Sequence, residues 1–381
     1  MIDWTDDQLE LKNCIHRWSE ALNENCLYHD RHCEFSFKKW QIIKDMGILS
    51  VPIASEYGGM GQDVLTTMLL LETLGNCCQD AGLNFVVASH IVSTAIPIQK
   101  FGSRNQRDTF LPLLCSGKMI GAHAITEPDS GSDAFSMRTH AVKNDKGYLI
   151  NSGSKVFISN GPIADLFVIY VCTDKSKGTL GGFTAFLVDK STPGFSTGRP
   201  ITKMGLRTAP LCELYFDDCQ LRLEQRLGKE GQGFAIFNYI MKWEILCSFA
   251  VNIGEMEYLL NRCIEYSKIR RQFNSPISKF QAISHKIAEM KIGLESSRAL
   301  LYRAGLAFSQ GKNPSVDVAI AKVVTSESFV KIAQEAIQIF GAYGYMEETG
   351  IEKYLRDAIA SKIYSGSSEI QKNTIASMIG L

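Results

Sequence analysis

The stretch GQGFAIFNYIMKWEILCSFAVNI, residues 231–253, decides how the chain is read. Its two glycines punctuate whatever precedes them, and the apolar residues that follow carry only two charges, Lys242 and Glu244. The helical pattern continues from Phe234 to Arg270, and two more long patterns follow at Lys279–Ser309 and Ser315–Phe340. Each is much longer than an average helix of about 12 residues, and such lengths suit a four-helix bundle. One turn from Glu244 stand Ile240, Met241, Cys247 and Ser248, so its carboxylate is expected to be desolvated. Desolvation raises a carboxyl pKa and makes a better proton acceptor near neutrality. Two readings stay open on the residues alone: a general base, or a glutamate buried in an ion pair with an arginine of another helix.

Upstream the pattern changes twice. Residues 148–221 hold short β-type runs, Tyr148–Ile150, Lys155–Ser159, Leu166–Cys172, Phe183–Val188 and Glu213–Phe216, separated by Gly, Asn, Asp and Pro. They predict a small antiparallel barrel or sandwich. The first third reads as helices again, opened by a capping-box pattern of Thr5 with Gln8 and continuing near Phe37–Met46 and Leu65–Leu74. The expected division is an all-α domain at 1–118, a β-domain at 119–229 and a helical bundle at 230–381, an α+β fold.

Bulk properties narrow the function. Forty basic residues balance forty acidic ones, so no global field attracts nucleic acid or an anionic membrane. Asp3, Asp6 and Asp7 stand where a secretory signal needs positive charge, and the uncharged stretch Ala81–Gln99 is interrupted by Asn84, His90 and Pro97, which predicts a core helix and not a bilayer span. Eleven cysteines, an odd number without C-x-x-C spacing, read as reduced and mostly buried thiols of a cytoplasmic, metal-free protein. Neither GGMG (58–61) nor GAYG (341–344) has the G-x-G-x-x-G spacing of a dinucleotide turn. The segment TEPDSGSD (126–133) offers hydroxyls and backbone N–H groups to an anion, or is an ordinary helix-to-strand turn.

Together these stretches resemble the acyl-CoA dehydrogenase family over nearly the whole chain. The resemblance is carried by PIASEYGGMG (52–61), TEPDSGSD, KVFISNG (155–161), GLRTAP (205–210), LGKEGQGF (227–234), RRQF (270–273), QIFG (338–341) and YSGSSEIQ (364–371), in the family's order. It implies FAD as cofactor, held by Ile125, Thr126, Ser132, Phe157 and Ser159, and by Ser367 and Glu369 near the C-terminus. Arg270, Phe273, Gln281, Gln338, Gly341 and Ala342 would reach the FAD of a neighbouring subunit, so a homotetramer, or at least a dimer, is implied. Ala342 and Tyr343 replace the family's usual Gly-Asn there.

Many family members carry the catalytic glutamate in a Y-E-G-T sequence, and the matching position here is Ser365. A subset that includes the isovaleryl enzymes places it instead on the first helix of the bundle, where counting back from RRQF reaches Glu244. The resemblance therefore implies that Glu244 removes the α-proton of a thioester, that the Ser365 backbone N–H binds its carbonyl oxygen, and that the β-hydrogen leaves as hydride to the flavin. Trp243 beside the base, with Tyr364, suggests a small substrate pocket. That combination looks most like the prolyl-carrier-protein dehydrogenases, which oxidise proline held as a thioester on a phosphopantetheine arm. The alternatives are a short or branched acyl-CoA dehydrogenase, needing a CoA thioester and an electron-transfer flavoprotein, and a flavin-binding protein that has lost catalysis.

Overall fold

The computed structural model describes residues 2–381. Thr5 and Gln8 exchange side-chain and backbone hydrogen bonds at 3.0 and 3.3 Å, closing the box that starts the helix Asp6–His16. The run expected as one core helix is helix Ala81–His90, a widened π turn over Ile91–Ala95, and helix Ile96–Phe101. Pro97 accounts for the widening: in a regular helix its ring would press on the Ser93 carbonyl four residues back, and it has no N–H to offer. The long helix, Gly233–Ile269, packs on Val64–Cys77 so closely that backbones meet. A Cβ at Gly75 would stand 2.1 Å from the Val251 carbonyl oxygen, and one at Gly254 would stand 2.0 Å from that of Glu72. Only glycine permits this approach.

The β-domain is two four-stranded sheets. One orders Gly121–Ala124, Leu166–Cys172, Phe183–Asp189 and Arg226–Leu227; the other orders Val142–Asn144, Gly147–Ser159, Leu211–Leu221 and Phe195–Thr197. Strand Leu166–Cys172 is buried on both faces. Phe167, Ile169 and Val171 point between the sheets, while Leu166, Val168, Tyr170 and Cys172 point at the helices. Two expectations need correction. Tyr148–Ile150 and Lys155–Ser159 are one strand, interrupted by an irregularity between Lys155 and Ile158 where Phe157 has φ 58°. The domain is also not wholly antiparallel, because Gly121–Ala124 runs parallel to Leu166–Cys172. That short strand, GAHA, has no hydrophobic alternation by which to announce itself.

In the C-terminal part Gly233–Ile269, Gln281–Ser309 and Ser315–Phe340 are joined by the shorter Ile351–Ser361, and Ser368–Met378 closes the chain against Ser315–Phe340. Ala81–Phe101 and Gly233–Ile269 are long and apolar enough to cross a membrane, yet 89% and 56% of their most apolar windows are buried inside the fold, as in core helices.

Two stability predictions follow from this packing. Gly254→Ala should lower the unfolding free energy by about 1–3 kcal/mol or more, the usual cost of overpacking, and thermal denaturation measures it. His90 is fully buried and uses both ring nitrogens, with the Gly121 N–H donating to Nδ1 at 3.1 Å and Nε2 donating to the Leu114 carbonyl at 3.0 Å. Burial lowers its pKa from 6.5 to about 4. Because the folded state needs the neutral ring, its contribution is present above pH 6.5 and is lost as pH falls toward 4. Denaturant titrations over that window should show a shallower pH slope for His90→Gln than for the parent.

Candidate active site

Glu244 lies midway along the part of the long helix that faces both the N-terminal helices and the β-domain. Its carboxylate carries no salt bridge; among the described residues it is held by two hydroxyls instead. Ser365 Oγ donates to Oε1 at 2.6 Å, and Ser93 Oγ donates to Oε2 at 3.2 Å. Burial pushes its pKa up, and the two serine bonds, which favour the charged form, pull back only part of the way. Of the two readings open from sequence, the ion pair is therefore absent from the geometry, and an available base remains. Ser93 was not singled out by the sequence reading. Its signal was there: a hydroxyl four residues before a proline inside an apolar helix.

Ser365 adopts φ 55° at the turn after Ile351–Ser361, next to Gly366 at φ 78°. Gln371 Nε2 fixes its carbonyl at 2.9 Å, while its own N–H donates to no acceptor among the described residues. A fixed, free N–H next to a base is what an enolate-like oxygen requires.

On the near side of Glu244, Phe237 lies two turns back on the same helix face. Tyr170 and His123 of the β-domain meet it at centroid distances of 6.0 and 6.2 Å. On the far side a cleft runs along the helix past Ser248, Asn252 and Glu255, walled by Phe85, Leu206 and Tyr364. Tyr364 rests on Phe85 and Phe249, and its hydroxyl donates to Asn252 Oδ1 at 2.9 Å. Trp243 does not line this cleft, contrary to expectation. Consecutive helical side chains diverge by about 100°, and the indole turns toward Gln281–Ser309, where it meets Phe308 edge-on at 6.0 Å.

The residues expected to hold FAD form two groups. Thr126 and Phe157 are neighbours, since the Val156 N–H donates to the Thr126 carbonyl at 2.9 Å. Glu127 and Lys155 fasten the segment: Lys155 Nζ reaches Glu127 Oε1 at 2.7 Å and the Ile125 carbonyl at 3.1 Å, while Glu127 Oε2 accepts the Arg138 N–H at 2.6 Å. This pairing leaves Thr126, Ser132 and Ser159 partly or fully accessible, and Phe157 65% exposed. Such an aromatic ring, held outward by a strained backbone beside hydroxyl donors, fits a flat ring system bearing phosphates. Ser367 caps Ser368–Met378 by accepting the Ile370 N–H, and Glu369 is exposed in that first turn.

The second group is at the other end of the long helix. Arg270 lies over the Tyr343 ring at 5.8 Å, close to Gln338, Gly341 and Ala342, and Phe273 is 89% exposed with Gln281 nearby. Arg270 comes 26 residues after Glu244, roughly 39 Å along the axis at 1.5 Å per residue.

The α–β–α architecture thus surrounds a half-buried carboxylate that has no cationic partner and is able to accept a proton. Three family models match in order: the acyl-CoA dehydrogenase N-terminal domain at residues 5–118, the middle domain at 122–219 and the C-terminal domain at 231–380. The chain belongs to the acyl-CoA dehydrogenase family. It is 40% identical to an L-prolyl-[peptidyl-carrier protein] dehydrogenase of Pseudomonas fluorescens, over 95% of this chain and 94% of that one. It is 41% identical to a short-chain-specific acyl-CoA dehydrogenase of Megasphaera elsdenii, over 86% of this chain and 85% of that one. The solved structure of PigA with FAD and proline superposes with a TM-score of 0.97 at 36% identity, covering 100% of this chain and 99% of PigA. The protein is thus an FAD-dependent oxidoreductase acting on thioesters.

The geometry around Glu244 predicts a pH profile. A base at Glu244 works deprotonated, so kcat/KM should rise with pH through a limb lying above the ordinary carboxylate range. Ser93→Ala removes a bond that favours the carboxylate, so the limb should move to higher pH; a limb that stays in place would show that Ser93 does not touch the base during turnover.

Proposed function

We propose that this protein oxidises an L-prolyl thioester, carried on the phosphopantetheine arm of a carrier protein, to a pyrroline- or pyrrole-carboxyl thioester. The observation that carries the reading is Glu244, half-buried, without a cationic partner and hydrogen-bonded by Ser93 and Ser365. An α-C–H is acidic enough to be removed only if negative charge on the thioester oxygen is stabilised as it develops. The free N–H of Ser365 supplies one donor, and the adjacent carboxylate takes the proton. Ser93 and the Ser365 hydroxyl hold both carboxylate oxygens, which fixes the direction of attack before substrate arrives. FAD, when bound, is the acceptor of the β-hydrogen as hydride. Ile125, Thr126, Ser132, Phe157 and Ser159, with Ser367 and Glu369, would hold it in one subunit. The distant group at Arg270, Phe273, Gln281, Gln338, Gly341 and Ala342 would serve the site of a second copy, so a dimer or tetramer is the working assembly.

The likeness to a prolyl-carrier dehydrogenase and to PigA with proline favours a prolyl substrate. The cleft beside Phe85 and Tyr364 adds polar side chains, Ser248, Asn252 and Glu255, where a purely hydrocarbon substrate would need none. The likeness to a short-chain acyl-CoA dehydrogenase keeps a second reading, oxidation of a short CoA ester.

Anaerobic bleaching of the visible flavin spectrum separates the two: prolyl-carrier protein should bleach it, and butyryl-CoA or isovaleryl-CoA should not. Bleaching by the CoA esters alone would transfer the protein to acyl-CoA breakdown. Glu244→Gln should retain flavin and lower the bleaching rate by about 10²–10⁴-fold, the usual contribution of a positioned base.

A further inference from the structure

One turn beyond Glu244, in the lining of the cleft, Ser248 has a hydroxyl without a partner among the described residues. Several hydroxyls inside other helices of this chain donate back to a backbone carbonyl, as Thr73 does to Leu69 at 2.7 Å, Ser297 to Gly293 at 2.8 Å and Ser326 to Val323 at 3.1 Å. Ser248 Oγ forms no hydrogen bond among the described residues, although the residue is only 3% exposed and lines the cleft. With no protein partner and a place in the cleft lining, this hydroxyl is free to bond a ligand that enters the cleft.

The surroundings indicate the chemistry. Four residues separate Ser248 from Glu244, which places their Cβ atoms about 5–6 Å apart on one helix face. A group that Ser248 can touch is therefore within one or two bonds of the carbon that Glu244 deprotonates. Behind Ser248 the face stays polar: Asn252 receives the Tyr364 hydroxyl and donates to Glu255 Oε2 at 3.2 Å, and Glu255 is itself buried. Burial and the nearby Asp357 raise the Glu255 pKa to about 8, so it stands mostly protonated at neutral pH and presents the cleft with a hydrogen-bonding group and no charge. A hydrocarbon chain in this cleft would leave Ser248 unpaired. A ring with a nitrogen on the α-carbon would satisfy it.

Resting on the prolyl reading, we propose that Ser248 is the specificity-determining contact of the cleft, hydrogen-bonding the α-nitrogen of the substrate ring and so favouring a cyclic amine over a carbocycle of the same shape. No covalent step is involved; the hydroxyl orients the ring so that the α-C–H faces Glu244.

The test uses the FAD-loaded enzyme and one carrier protein bearing either a prolyl or a cyclopentanecarbonyl thioester, which differ only by NH against CH₂. The parent should prefer prolyl in kcat/KM, and Ser248→Ala should shrink that preference by about two- to tenfold, the size of one hydrogen bond, chiefly by slowing prolyl turnover. Ser248→Cys, nearly isosteric and a poor donor, should fall between. The acid limb set by Glu244 should keep its position in both variants, which distinguishes a lost substrate contact from a disturbed base. An unchanged preference in Ser248→Ala, with both substrates slowed equally or neither slowed, overturns the assignment. If the parent bleaches with neither carrier-bound substrate but does so with a CoA ester, it is the prolyl reading that fails.

Discussion

The site depends on one constraint: the Glu244 carboxylate is drawn into the fold without being given a cation. An arginine beside Glu244 would lower its pKa and weaken it as a base; bare burial would leave it protonated or make the fold pay heavily for the charge. Two hydroxyls are the intermediate solution, and each arrives by an unusual backbone. Ser93 is carried on a π turn and Ser365 on a left-handed residue between a helix end and Gly366. Gln371 pins the second of these from behind, through the Ser365 carbonyl. Both deviations from regular structure therefore converge on the same two oxygen atoms, as strained backbone tends to do at functional sites.

The cleft depends on a second constraint, the seam between the β-domain and the helices. Leu206, which walls the cleft, is held by its N–H donating to Asp357 Oδ1 at 2.5 Å, and Thr208 two residues on donates to Asp80 Oδ1 at 2.5 Å. Each aspartate also pairs with a buried lysine, Asp357 with Lys353 at 2.6 Å and Asp80 with Lys39 at 3.1 Å. Buried pairs of this kind contribute little net stability against an apolar replacement, but removing one partner is costly because the other charge is stranded. Their use here is positional: they hold a loop of one domain against two helices of the others at the edge of the cleft. The glycine contacts between Val64–Cys77 and Gly233–Ile269 do the same job without charge, locking the helix that bears Glu244 to the layer that bears Ser93.

Much of this was legible along the chain. Helical periodicity extended over 26 to 37 residues in each of the three long helices, so their existence was plain and their ends were displaced by no more than two residues. The capping box at Thr5 is a purely local interaction and was read as such. Glu244 stood out for a related reason: a lone glutamate in an apolar helix is anomalous by composition. What escaped were features whose cause is non-local. The four-residue strand Gly121–Ala124 exists because Leu166–Cys172 lies beside it, and the continuous strand Gly147–Ser159 bends at Phe157 to follow its partner. Trp243 adjoins Glu244 in sequence, but the helical rotation sends it to a different neighbour.

The sequence by itself determined the α–β–α order, the family and the identity of the carboxylate, because these rest on local periodicity, on composition and on ordered motifs. Only the tertiary structure decided which hydroxyls hold that carboxylate, since Ser93 and Ser365 stand 151 and 121 residues from Glu244 along the chain. It also decided that Glu244 has no ionic partner among the described residues, and that a polar stripe through Ser248, Asn252 and Glu255 lines the cleft beyond it. Contacts between residues so far apart are products of packing three units together, and a linear pattern records the faces that pack without recording what each face will meet.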